Sequence, residues 1–167
     1  MSKLPRVDPR GLRLRRKYLV PLLNNPAGYW YLTTIAPRID RTITPMTRAW
    51  ISSLPATPLL LMTHTGAKSG IERKSPLMYY TRGEDVILMA SNYGRTSHPA
   101  WFHNVQVNPD VTLQFHGRTG RYRARVATPE ERDELWRTAK DFIANYANYE
   151  DRAGDREIQI VVCEFVE

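Results

Sequence analysis

The sequence predicts an α+β fold: a small antiparallel β-barrel with flanking helices, preceded by a basic, aromatic N-terminal arm with short helical pieces. Three observations carry this. From Pro58 onward, short β-branched and aromatic runs recur in the order β-β-β-α-β-β-α-β. Two of the connections, Arg82-Gly83-Glu84-Asp85 and His116-Gly117-Arg118-Thr119-Gly120, are short enough for hairpins. Charge also divides the chain near Pro55. Residues 1–50 hold ten Lys and Arg against Asp8 and Asp40, a net +8, whereas residues 51–167 hold fourteen basic and fifteen acidic residues, a net −1. The arm is therefore placed at residues 1–55 and the barrel domain at residues 56–167.

Each element has its own signal. In the arm, Leu12, Leu19, Leu22 and Leu23 fit one helical face, and Ile43, Met46 and Trp50 another. Leu59–Thr63 reads as the first strand. Ser75–Thr81 and Val86–Ser91 read as a hairpin around Gly83. Pro99 in His98-Pro99-Ala100-Trp101 opens a short helix, and Asn108-Pro109 closes it. Val111–Phe115 and Arg121–Ala127 make the second hairpin. Thr128-Pro129-Glu130-Glu131 combines an N-cap Thr, a first-turn Pro and a Glu three residues on, which starts a helix expected to run to about Tyr146. Ile158–Phe165 is the terminal strand.

Composition narrows the function classes. The one cysteine, Cys163, precludes an intramolecular disulfide, suits a reducing cytoplasm, and sits in an apolar strand pattern as a small core residue. Four scattered histidines give no zinc spacing. Residues 18–37 carry no charge, but Pro21, Asn24, Asn25, Pro26 and Gly28 interrupt them, so neither a spanning helix nor a signal peptide is expected. The basic excess lies in the arm and not in the barrel, which argues against nucleic-acid binding. Tyr29, Trp30 and Tyr31 near the arginines suit an anionic lipid headgroup layer; they equally suit an arm packed on its own domain or a partner subunit.

Two loops could carry chemistry. Thr65-Gly66-Ala67-Lys68-Ser69-Gly70-Ile71-Glu72-Arg73 places glycines, a lysine, a serine and an arginine between strand-like runs. Glycine permits close backbone approach and the cations suit phosphate or carboxylate, although the same composition serves a surface turn. The Walker spacing is absent. Ala90-Ser91-Asn92-Tyr93-Gly94 is a second small-residue loop leading to a helix N-terminus. Together the two could hold both ends of one elongated anionic cofactor, or be ordinary connections. Neither Ser69 nor Ser91 lies in a G-x-S-x-G elbow. His98 and His103 lack an evident carboxylate partner, and capping or packing suits them better than acid catalysis. Arg121, Arg123 and Arg125 alternate on one strand face, solvated or facing a ligand. Tyr146 and Tyr149 are either core or an aromatic lid.

The segments T-G-A-K-S-G-x-x-R-K-S-P-L at 65–77, A-S-N-Y-G at 90–94, H-P-A-W-F-H-N at 98–104, N-P-D-V at 108–111 and D-R-x-I-x-I-V-V-C-E at 155–164 together resemble the deazaflavin-dependent nitroreductase and quinone reductase family, over about residues 59–165. The resemblance implies a split β-barrel and the deazaflavin coenzyme F420. It further implies that Lys68, Ser69, Gly70 and Arg73 surround the cofactor's phosphate and acidic tail, that Ser75, Pro76 and Met78 run beside it, that Ala90, Ser91, Asn92 and Gly94 adjoin its ring, and that Ala100 and Trp101 start the neighbouring helix. Ser91, Tyr146 and Tyr149 are the candidates for catalysis on the substrate side. Ala67, Asn92-Tyr93 and Ala100 replace the arginine, lysine-glycine and methionine found in relatives.

The expected activity is hydride transfer from reduced F420 to a small flat acceptor: a quinone, an enone or a nitroaromatic. An FMN-dependent reductase on the same barrel is the enzymatic alternative. A non-catalytic module, whose arm docks on anionic lipid or an acidic partner and whose barrel is a scaffold or cofactor carrier, is the other class. The expected location of the enzyme is cytoplasmic, with the arm as the segment that would bring it to the inner face of the cell membrane.

Overall fold

A computed structural model of the chain describes residues 3–8, 25–54, 57–142 and 145–166. The expected helical face of Leu12, Leu19, Leu22 and Leu23 lies outside the described residues. Six antiparallel strands close a barrel: β1 (Leu59–Thr65), β2 (Glu72–Arg82), β3 (Asp85–Met89), β4 (Asp110–Phe115), β5 (Arg118–Val126) and β6 (Ile160–Phe165), in the order β1-β2-β3-β6-β5-β4. Among the described residues five helices flank it: α1 (Pro26–Trp30), α2 (Ala36–Met46), α3 (Ala100–Val107), α4 (Pro129–Phe142) and α5 (Asn145–Ala153). The expected α+β barrel with flanking helices is thus found.

Side-chain alternation builds two apolar layers. Tyr79, Val86, Leu88, Val111, Leu113, Tyr122, Val161 and Cys163 fill the barrel, whereas Tyr80, Ile87, Met89, Ile160 and Val162 pack outward against Leu135, Trp136, Tyr146 and Tyr149 of α4 and α5. Cys163 is fully buried, as expected of a small core residue.

The hairpins are tighter than the sequence predicts. Phe115 pairs with Arg118, so only His116 and Gly117 turn, both with positive φ as a type I′ turn requires. At the start of α4, the Thr128 N–H donates to Glu131 Oε2 (3.1 Å) and the Glu131 N–H to Thr128 Oγ1 (3.3 Å), a reciprocal capping box. The helix ends at Phe142, and Tyr146 belongs to a separate helix, α5, instead of extending α4.

The described part of the arm packs on the barrel. The Leu4 N–H donates to the Tyr122 hydroxyl (2.9 Å), and the Thr81 N–H donates to the Val7 carbonyl (3.0 Å) where β1 no longer borders β2. Between α1 and α2, Tyr31–Ile35 forms a π-helical turn with the Ala36 N–H on the Tyr31 carbonyl, next to Pro37, which has no N–H to continue the regular ladder. Asp40, buried on α2, accepts from the Ser53 N–H (2.6 Å) and hydroxyl (2.8 Å). The expected face of Ile43, Met46 and Trp50 does not form. Arg48 and Ala49 adopt φ of 50° and 59° after α2 ends, and Trp50 stacks on His116 at 4.6 Å.

Candidate active site

The site begins where β2 and β3 part. β3 pairs with β2 only over Tyr79–Arg82, whereas β1 pairs with β2 over Glu72–Met78. The N–H groups of Tyr79 and Thr81 go to Pro58 and Val7, on the β1 side. By strand alternation, Lys74, Pro76 and Met78 therefore turn their main chains to the side that β3 has left. Pro76, which has no N–H to give, occupies this open edge. Beyond Leu88, β3 stays with β6: Met89 pairs with Ile160, and the Ala90 N–H donates to the Gln159 carbonyl (2.9 Å) before the chain enters Ser91 and Asn92. The sequence-predicted Pro76 and Met78 thus lie on the stretch of β2 from which β3 has parted, and the predicted Ala90, Ser91 and Asn92 follow the end of β3.

The first loop lies at the far end of the same β2 segment, six residues or about 20 Å from Met78. Its backbone is braced internally: the Gly66 N–H donates to Ile71 O (2.9 Å), the Gly70 N–H to Gly66 O (2.8 Å) and the Ile71 N–H to Ser69 Oγ (3.3 Å). Gly66 is enclosed, since a Cβ there would stand 2.6 Å from Ser69 Oγ and 3.2 Å from Arg73 Nε. Lys68, Ser69, Gly70 and Arg73 are exposed, and among the described residues neither Lys68 nor Arg73 has a carboxylate partner. Solvent-facing cations without counter-charges on a braced loop are a donor set suited to an anionic ligand.

Behind this loop runs a buried hydrogen-bond chain. The Ala67 N–H donates to Asn104 Oδ1 (2.9 Å), Asn104 Nδ2 meets His64 Nδ1 (3.1 Å), and His64 Nε2 meets Ser75 Oγ (3.0 Å). His64 is 3 % and Asn104 8 % exposed. Burial first, and the Arg73 guanidinium second, hold the His64 ring below its ordinary value. Ser75 thus turns its side chain to His64, on the β2 face shared with Leu77 and Tyr79, while its neighbours Pro76 and Met78 face outward.

The second loop is fixed by Arg156. Its guanidinium donates to the carbonyls of Ala90 (3.1 Å), Ser91 (2.8 Å) and Arg95 (2.8 Å), and Nη1 lies 3.4 Å from His98 Nδ1. Burial, then Arg156 and His103, lower the His98 pKa. Asn92 and Tyr93 adopt φ of 47° and 57°, and Asn92 Nδ2 donates to the Ser97 carbonyl (2.8 Å). The Ser91 hydroxyl makes no hydrogen bond among the described residues. Ala100 is exposed at the start of α3, and Trp101 is buried in the barrel core.

The arm supplies one flank. The Tyr29 hydroxyl donates to the Tyr93 carbonyl (3.2 Å), and the Arg152 guanidinium lies 3.7 Å from the Tyr29 ring centre. Tyr93 meets Tyr149 edge-on at 6.3 Å, and Tyr149 meets Tyr146 at 5.8 Å. Tyr146 is 4 % and Tyr149 7 % exposed, both in the outer apolar layer. Of the arginine stripe, Arg125 is tied to Glu131 and Glu164, and Arg123 faces Asp110 at 3.7 Å. Sequence reasoning did not single out His64, Asn104 or Tyr29 as site residues. Asn104, the one asparagine of the short α3, was no signal until β1 was set beside it.

Residues 38–165 match the family described as F420H(2)-dependent quinone reductase. An F420H(2)-dependent quinone reductase of Mycobacterium tuberculosis strain H37Rv is 34% identical over 110 residues, which cover 64% of this chain and 73% of that protein. A second protein of that strain, described provisionally by the same name, is 37% identical over 89 residues, covering 53% of this chain and 75% of the relative. A solved F420-H2 dependent reductase is similar in structure, with a TM-score of 0.59 at 36% identity, covering 64% of this chain and 94% of that one.

Proposed function

Because the chain belongs to the F420H(2)-dependent quinone reductase family, we propose that its β2–β3 slot holds the F420 ring and its Lys68/Arg73 loop the anionic tail. The protein is an oxidoreductase of that family, and coenzyme F420 is its cofactor. The observation that carries the placement is an open main-chain edge on β2, up to Met78, that leads along one strand to Lys68 and Arg73, which have no carboxylate partner among the described residues. This donor set fits an elongated molecule with a flat heterocycle at one end and negative charge at the other.

Bound in reduced form, F420 supplies a hydride to a two-electron acceptor. The chain's own residues then bind and orient. Lys68 and Arg73 neutralise the tail, with the Lys68 and Ser69 N–H groups as further donors, while Gly70 keeps the loop turned. Pro76 and Met78 wall the slot, Ser75 braces it from behind, and Arg156 holds the carbonyls of Ala90 and Ser91 in place. Asn92 and Gly94 shape the second loop. Ala100 borders it at the start of α3, which Trp101 anchors in the core. Ser91, with an uncommitted hydroxyl, donates to the acceptor oxygen as it gains charge. Tyr149 lies against Tyr93 at the rim of this loop, and Tyr146 supports it from the apolar layer. The acceptor is a quinone; enones and nitroaromatics, also flat and electron-poor, are further candidates.

Titrating the protein with F420 and separately with FMN, followed by tryptophan fluorescence, tests the placement. Tighter binding of F420 supports it. Equal or tighter binding of FMN would favour the FMN-dependent alternative, and binding of F420 without turnover would favour the non-catalytic module.

A peripheral membrane role has one observation in its favour. Four of the seven exposed large apolar residues among those described, Trp30, Met46, Trp50 and Ile51, fall in the arm, near the exposed Arg38, Arg41 and Arg48. No described helix is long and apolar enough to cross a membrane. Removing the arm would strip Leu4 and Val7 from the barrel core, so point changes are the better test. Met46→Ser with Ile51→Ser should reduce sedimentation with anionic vesicles, and added salt should do the same. Binding that ignores lipid charge would reject this role.

A further inference from the structure

The protons in the chain from Ala67 to Ser75 are fixed by one group. A backbone N–H can only donate, so Asn104 must turn Oδ1 to Ala67. Its Nδ2 then donates to His64 Nδ1, which must be bare. The ring proton therefore sits on Nε2 and is given to Ser75 Oγ. Every member is satisfied in one arrangement, with His64 neutral.

Resting on the cofactor placement above, we propose that Asn104 and His64 are positioning residues for the anionic tail: they fasten the Lys68/Arg73 loop to α3 and β2, and protonation of His64 unfastens it. An imidazolium would aim Nδ1–H at Asn104 Nδ2, two donors face to face. Rotating the Asn104 amide would relieve that contact but set Nδ2 against the Ala67 N–H, again donor to donor. No orientation of Asn104 serves both neighbours once His64 carries two protons, so the loop loses its anchor. The groups that face His64 are Asn104 from α3 and Arg73 and Ser75 from β2, and Arg73 is the one charged group among them. Arg73 disfavours the imidazolium, which keeps the anchor closed near neutral pH. A simple gain of positive charge would have the opposite effect, since it would draw the anionic tail more strongly as pH falls.

The test is the dissociation constant for F420, and for the deazaflavin lacking the phosphate and acidic tail, from about pH 8 down to about pH 5, below the ordinary histidine range because burial and Arg73 lower His64. Wild type should lose F420 affinity on the acid side, approaching tenfold per pH unit for one linked proton, while the tail-less compound binds evenly. Asn104→Asp keeps an acceptor for Ala67 and offers a second oxygen to a protonated His64, so its F420 affinity should not fall with acid. The His64 ring resonance should then titrate above the wild-type value. His64→Gln, which retains a donor and an acceptor but cannot titrate, should also show a flat profile. Should Asn104→Asp fail to fold, the glutamine variant decides alone. F420 affinity that is flat or rises on acidification in wild type, equal acid sensitivity of the tail-less compound, or variants that keep the wild-type acid loss would overturn the proposal. Loss of F420 affinity at all pH values together with failure of the neutral wild type to bind F420 would instead remove the cofactor placement itself.

Discussion

Gly94 and Tyr149 touch through their backbones: a Cβ built on Gly94 would stand 2.8 Å from the Tyr149 carbonyl oxygen and 2.9 Å from its Cα. Gly94 also holds φ at 74°. The second loop is therefore pressed onto α5 at a residue without a side chain. Gly94→Ala should cost about 2–4 kcal/mol from left-handed strain and overpacking together. Urea unfolding measures this. An unchanged midpoint would mean that the loop and α5 are not in close contact.

Lys68→Ala and Arg73→Ala should each weaken F420 binding by about 1–3 kcal/mol, the range for a charged hydrogen bond that is partly desolvated. The loss should shrink for the deazaflavin without its tail. Parent-like affinity in both variants would make the loop a simple turn.

Tyr149→Phe should lower turnover with at least one acceptor while F420 affinity changes little, because the ring borders the second loop and not the cationic one. Tyr146→Phe, one ring further into the apolar layer, should do less. Steady-state kinetics with a quinone and a nitroaromatic would show it. Wild-type kinetics in both variants would leave the tyrosines as packing alone.

Glu131 sets an acid limit on stability. Its hydrogen bond with Arg125, then those with the Thr128 N–H and Arg82, depress its carboxyl to about 2 from the ordinary 4.5. A depressed carboxylate stabilises the fold above its unfolded value, and that contribution disappears as pH falls from about 4.5 toward about 2. Because a quarter of the side chain stays in water, the term is only about 1–2 kcal/mol. Glu131→Gln should lower stability near neutral pH by this amount and flatten the acid limb in denaturant titrations. An unchanged acid limb would place the stabilising charge elsewhere.

What the sequence revealed was local. The Thr128–Glu131 box, the glycine turns and the alternating strands each declare themselves within a few residues, and each appears in the structure. The two loops were also visible, because glycine, lysine and small residues cluster in sequence. What was hidden depends on register and distance. That β2 outruns β3, opening the slot at Met78, follows from which residues pair and not from any one strand's pattern. Asn104 and His64 are forty residues apart and read as an unremarkable helix amide and a strand histidine until β1 and α3 meet. Trp50 fitted the helical period of Ile43 and Met46, but the positive φ of Arg48 and Ala49 carried it to His116 instead. The basic arm separated itself by charge, yet Leu4 and Val7 bind it to the barrel through contacts no composition records.

The most direct test of the account is quinone-dependent oxidation of reduced F420 by the purified protein under anaerobic conditions, followed by the return of the oxidised cofactor's absorbance. The account predicts that absorbance returns only when protein and a quinone are both present, that Lys68→Ala raises the F420 concentration needed for half-maximal rate, and that reduced FMN does not replace reduced F420. Turnover of reduced FMN with the same quinone, and none of reduced F420, would contradict it.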